Sequence, residues 1–127
     1  FREWGGHGQG GFGDPQFQYT DDLLVVTPKG IENKRMFQSH RGTAAMSAPD
    51  RDATFGKKVV YNPCASYPLG CNYATYIGPD NFMVEVETMS EEVTLKPGDQ
   101  LTSRETWVIK DEAIALKDAD TVSALFK

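Results

Sequence analysis

Long apolar runs are missing from this 127-residue chain; none approaches the ~20 residues that a helix needs to span a bilayer. An excess of positive charge is missing too. Thirteen Lys and Arg face eighteen Asp and Glu, a net charge of −5. That balance excludes the basic face on which nucleic-acid and anionic-membrane binders rely. Histidine and cysteine are scarce: His7 and His40, Cys64 and Cys71 are all there are. The cysteines are not spaced Cys-x-x-Cys, and two histidines are too few to complete a shell around them, so no metal site is expected. No Gly-x-Ser-x-Gly elbow surrounds Ser39, Ser66 or Ser90, which argues against a serine hydrolase. Nothing in the chain calls for a cofactor. An initiator Met and a signal-peptide pattern are also lacking before Phe1, and a processed chain would begin the same way.

What is present suits one globular domain: 39% hydrophobic and 24% charged residues in a length typical of a single core. Residues 1–15 form a glycine-rich segment, read as loop-forming, and 16–127 a β domain. Gly6, Gly8 and Gly11 spell Gly-x-Gly-x-x-Gly. That string signifies dinucleotide binding only between a strand and a helix, and here Asp14-Pro15 follows it. From Gln16 onward short apolar or alternating runs recur about every ten residues with Pro, Gly, Asp and Asn between them, the pattern of an antiparallel sandwich or barrel. Phe82–Ile109 reads as a hairpin closed by Lys96-Pro97-Gly98-Asp99, with Pro and Gly where a type II turn wants them. Lys110–Lys127 has helical spacing, and Asp120 is placed to cap a short final helix. The expected fold is an all-β antiparallel sandwich with a short C-terminal helix.

Several residue groups could carry chemistry. Along Phe82–Met89, alternation puts Met83, Glu85, Glu87 and Met89 on one face and Phe82, Val84, Val86 and Thr88 on the other. Glu85 and Glu87 are then about 7 Å apart on one strand face. Beside methionines a carboxylate is partly desolvated and suited to general-base work; a plain solvated sheet face accounts for the same residues. Asn72, Tyr73 and Tyr76 combine rings that stack on sugar C–H faces with an amide that bonds hydroxyls, though turn chemistry and core tyrosines explain them as well. Trp107, and Trp4 within the glycine-rich start, are further stacking candidates. Cys64 and Cys71 are either two unrelated thiols or a disulfide closing a short loop, which would imply an oxidising compartment.

In order along the chain, Tyr67-Pro-Leu-Gly-Cys-Asn-Tyr-Ala-Thr-Tyr76, Phe82-Met-Val-Glu-Val-Glu-Thr-Met89, Val93-Thr-Leu-Lys-Pro-Gly-Asp99 and Glu105-Thr-Trp107 resemble the C-terminal end of galactose-mutarotase-like (aldose 1-epimerase-like) domains, most closely their uncharacterised relatives. The resemblance is good over 54–109, faint over 16–53 and absent before that. It implies part of a large antiparallel β-supersandwich that holds a carbohydrate on a sheet face. It also implies Glu87 as catalytic base for anomer interconversion; by residue type and strand face, Glu85, Asn72, Tyr73, Tyr76, Trp107 and Trp4 are the residues that would surround the sugar. Met89 stands where mutarotases have Gln, and their catalytic histidine has no counterpart here. A full domain of this kind is roughly twice as long. The resemblance therefore implies a partner, another chain or chain segment that completes the sandwich, and a periplasmic or secreted setting. The alternative is a non-catalytic structural or interaction domain of a larger extracytoplasmic protein.

Overall fold

Runs of β-branched and aromatic residues five or six long, broken by Pro, Gly and Asp, form strands and turns much where the alternation places them. The computed structural model describes residues 3–8, as backbone, and 13–127. Nine strands lie among them: β1 (Glu3–Gly8), β2 (Phe17–Tyr19), β3 (Leu24–Val26), β4 (Asn33–Phe37), β5 (Thr43–Ala48), β6 (Ala53–Lys58), β7 (Tyr73–Ile77), β8 (Val84–Thr88) and β9 (Thr106–Lys110), followed by one helix, α1 (Ala119–Ala124). Sheet one has the order β1-β4-β7-β8, sheet two β5-β6-β9, and β2-β3 form a separate ribbon. Every pairing is antiparallel. The protein is an all-β sandwich with a short C-terminal helix.

The inner face of sheet one carries Phe37, Tyr73, Thr75, Ile77, Val84 and Val86, as the register dictates. Tyr73 and Ile77 have no exposed surface. The Tyr73 ring stacks on Phe37 with centroids 5.9 Å apart. Its hydroxyl lies within donating distance of two sheet-two carbonyls, Gly42 O at 2.9 Å and Lys57 O at 3.2 Å. Burial pushes the Tyr73 phenol well up from its ordinary pKa, with the Glu105 charge adding to the effect. In sheet two, Gly56 makes room for the residues that follow α1: a Cβ there would lie 2.9 Å from Phe126 Cζ. The β6 glycine therefore serves close packing, and the register through it is regular.

A buried polar cluster ties the segment before β2 to β4. Asn33 Nδ2 and Gln16 Nε2 both donate to Asp14 Oδ2, at 2.7 and 2.9 Å, and Gln16 also receives Lys29 N on its amide oxygen. Burial works to raise the Asp14 carboxyl. The bonds from Asn33 and Gln16, with Arg35 nearby, outweigh it and hold the group below its ordinary value. Arg35, also buried, lies over the Phe17 ring at 4.8 Å.

Four expectations change. The glycine-rich start contains β1, which pairs with β4 across a register shift between Gly5 and His7. Phe82–Ile109 is not a hairpin: β8 pairs with β7 in sheet one and β9 with β6 in sheet two. The turn itself forms, with Gly98 at φ +94° and Asp99 N donating to Lys96 O. However, residues 89–105 carry no strand, and most of them are exposed. The helix is capped by Asp118, which accepts from Thr121 N at 2.7 Å, because Asp120 is drawn to Arg41. Finally, no disulfide joins Cys64 to Cys71. Cys64 is exposed on a turn, while Cys71 is fully buried with its thiol donating to Leu69 O.

Gly42 sits at φ +63°, and a Cβ there would run into the Val59 carbonyl. Gly42→Ala is expected to lower the unfolding free energy by roughly 2 kcal/mol or more, read as a lower midpoint in urea. A thiol reagent such as DTNB should titrate one cysteine, Cys64, in the native protein and two after denaturation. Two fast equivalents or none would contradict the buried position of Cys71.

Candidate functional site

Directly paired residues of an antiparallel sheet share a face. On the outer face of sheet one, Lys34, Tyr76 and Glu85 form one row and Met36, Ala74 and Glu87 the next. Glu85, Glu87 and Tyr76 are thus brought together, as their alternation suggests. The register also sets His7 beside Lys34 and Trp4 beside Met36 on β1. The Trp4 side chain lies outside the described residues.

Lys34 crosses the sheet to Glu87, donating to both carboxylate oxygens at 2.7 and 3.0 Å. Both side chains keep about a third of their surface exposed, 30% and 35%, so the pair stabilises the fold by on the order of 1 kcal/mol or less. Its larger consequence is chemical. Each Glu87 oxygen keeps a free lone pair for a ligand hydroxyl, while the Lys34 ammonium stabilises the ionised form that a base needs. Tyr76 is half-buried, and its hydroxyl donates to Glu32 Oε1 at 2.6 Å. That bond, then burial and the charges of Glu32 and Glu85, raise the Tyr76 phenol, which stays protonated as a donor. Among the described residues the face therefore offers three carboxylates, one ammonium and one aromatic ring. Such a set can accept from and donate to vicinal hydroxyls around a stacked apolar surface.

Other expected site residues lie elsewhere. Asn72 is buried and internally committed: its Oδ1 accepts from Ser39 N at 2.7 Å and its Nδ2 donates to Ser39 O at 2.9 Å. It pins the chain leaving β4 to the start of β7. Tyr73 belongs to the core. Trp107 lies on β9 in sheet two, 61% exposed, edge-on to Phe55 with centroids 5.6 Å apart. Lys57 Nζ lies 5.1 Å from the Trp107 ring centroid. The indole Nε1 donates to Glu105 Oε2 at 2.6 Å, and Thr88 Oγ1 donates to the other Glu105 oxygen, which closes the base of the exposed 89–105 segment. These two bonds, Thr88 first, depress the Glu105 carboxyl below its ordinary value against the opposing effect of burial.

Two participants escaped the sequence reading, Lys34 and Glu32. The signal was there: Glu32, Lys34 and Met36 recur at period two within the polar run Glu32–Ser39. No signal in that run says that Lys34 reaches diagonally past β7 to Glu87.

Comparison of the chain with protein-family models, with curated proteins and with solved structures finds no match. The case for a function rests on the residues themselves.

A depressed carboxylate contributes stability that is present above its unfolded pKa and lost as pH falls through the folded one. In a Trp4→Phe background, Trp107 fluorescence should hold constant from pH 7 down past 4.5, the ordinary Glu value, and change only below it, as Glu105 protonates and releases the indole. Glu105→Gln should abolish that step. A transition centred above pH 4.5 would contradict the depressed carboxyl.

Proposed function

We propose that this protein is a carbohydrate-binding β-sandwich of the galactose-mutarotase-like kind, with the sugar lying on the outer face of sheet one. The observation that carries the reading is the convergence of Tyr76, Glu85 and Glu87 with Lys34 and Glu32 on one open strand face. Tyr76 supplies the ring, half-exposed and held by Glu32. Glu85 and Glu87 accept sugar hydroxyls, and Lys34 donates.

In an aldose 1-epimerase-like reaction Glu87 takes the proton of the anomeric hydroxyl, and the ring oxygen needs a donor as the ring opens. Lys34 is the cation already at Glu87, so a hydroxyl that bonds the carboxylate would find its ammonium beside the reacting centre. The same ion pair holds the carboxylate in place while no sugar is bound. Binding is therefore the primary claim, and turnover depends on it.

A second reading, a non-catalytic interaction domain, draws on different residues. Trp107 and Ile109 on β9 are 61% and 71% exposed, and Val93, Leu95 and Leu101 in the 89–105 segment are each about half exposed. Apolar surface of that extent is a common mark of contact with another polypeptide.

Saturation-transfer NMR with free galactose and glucose tests the sugar site. Tyr76→Ala should weaken binding about tenfold, the worth of one ring contact. Glu87→Gln should weaken it less, and should abolish any acceleration of anomer interconversion followed by polarimetry. Saturable binding unaffected by either substitution would sink the assignment of this face. Absence of binding to any aldose would favour the interaction domain.

A further inference from the structure

Sheet two ends at β9, which pairs only with β6 among the described residues. One bond tells which of its backbone groups face outward. Val59 N donates to Gly42 O at 2.8 Å, so these two residues form a hydrogen-bonded pair. The register that follows is regular in both ladders. Alternation then directs Ala53, Phe55 and Lys57 to β5, and Thr54, Gly56 and Lys58 to β9. On β9 those bonds engage Thr106, Val108 and Lys110. The N–H and C=O groups of Trp107 and Ile109 point away from the sheet and find no other partner among the described residues.

The side chains of the same two residues are 61% and 71% exposed. Proteins commonly blunt such an edge with a central Lys, a Pro or a bulge. Strand β9 reads Thr-Trp-Val-Ile-Lys, with its one charge at the end and no shift in its pairing. It is a short, open, apolar edge, able to take up another strand.

The residues around this edge suit a copy of themselves. Two copies related by a two-fold axis would meet antiparallel. Hydrogen bonds then form only where outward residues oppose outward residues. Trp107 opposite Trp107 meets that condition but sets Arg104 against Lys110, cation on cation. Ile109 opposite Ile109 meets it but sets the Trp107 indole against Asp111. Trp107 opposite Ile109, centred on Val108, meets it twice and pairs an aromatic with a β-branched side chain each time. In that register Arg104 comes across from Glu112 of the copy just beyond each end of the ladder. Both are exposed, and neither makes an ion pair within its own chain among the described residues. Glu105 meets Asp111 there as well, and Lys57, 3.9 Å from Glu105 Oε2, offsets that contact.

We propose that β9 is the contact of a symmetric homodimer, in which two copies join β9 to β9 about Val108 and sheet two continues from one chain into the other. The contact uses neither Tyr76 nor Glu87, so the dimer and the sugar site can fail separately.

Strands of five residues make a small interface, so the dimer should form with a dissociation constant on the order of 10–100 μM. Sedimentation velocity over a concentration series of the intact chain reads this directly. Hydrogen exchange should slow with concentration at the Trp107 and Ile109 amides and stay unchanged at Val108, which already bonds β6. Ile109→Pro removes an outward donor and leaves the β6 ladder intact, a placement that edge strands tolerate; it should abolish the dimer. Arg104→Glu should weaken association about tenfold, and adding Glu112→Arg in the same chain should restore it. This charge exchange decides the matter if the proline variant misfolds. A chain that stays monomeric to about 500 μM would overturn the proposal and leave the edge to a different partner. So would a dimer whose exchange protection falls on β5, the other open edge of sheet two, or a double exchange that leaves association as weak as Arg104→Glu alone.

Discussion

One phenol joins the two layers of this protein. Tyr73 stands on the third strand of sheet one with no surface in contact with solvent, and its hydroxyl reaches the carbonyls of Gly42 and Lys57 at the near end of sheet two. The position matters because these carbonyls border the Gly42 turn, where the chain enters β5. Gly42 O already accepts from Val59 N at 2.8 Å, so the need lies with the phenol, whose buried hydroxyl would cost about 1–3 kcal/mol without an acceptor. Meeting that need ties sheet one to sheet two. Asn72, one residue earlier, does the same for the segment leaving β4. Two adjacent residues, both plausible sugar contacts by type, are thus spent on architecture.

With Tyr73 facing inward, period two turns its neighbours Tyr76 and Ala74 outward and lays Glu85 and Glu87 beside them. The polar character of the outer face follows from the apolar demand of the inner one. Sheet one therefore has two unlike sides, one carrying carboxylates and Lys34, the other largely buried, with Arg35 and Asn33 among its apolar residues, and fronting a cleft lined in part by the edge strands β3 and β5. The molecule presents its chemistry on one side of that sheet and its unfinished hydrogen bonding on the other.

The strands were largely legible in the sequence because each is announced locally, by alternation and by the Pro, Gly and Asp that bound it. The face shared by Glu85 and Glu87 was legible for the same reason. Pairing partners were not. Lys96-Pro-Gly-Asp99 forms the turn its residues specify, yet the flanking runs do not pair with each other, because Trp107 finds Phe55 and β9 finds β6. A turn motif reports backbone dihedrals over four residues and carries no information about strands several residues away. The Lys34–Glu87 contact was hidden likewise, since it depends on β7 lying between two strands distant in sequence. Asn72 and Tyr73 misled for a further reason: residue type suits them equally to a ligand or to a buried carbonyl, and only burial decides.

The route of the chain through the two sheets also sets when each can exist. Sheet one is built from strands that all precede Met89, whereas in sheet two Lys58 must await Thr106 and Thr54 must await Lys110. The tether from Asp22 to Ala119 closes later still, across 97 positions. On a ribosome, β5 and β6 would emerge as a bare hairpin, a structure only marginally stable by itself. At synthesis rates of about 5–20 residues per second, Phe55 would wait several seconds for the strand that covers it. The duration of that interval depends on the length of the exposed 89–105 segment, which adds delay to the closing of sheet two while contributing no strand to it.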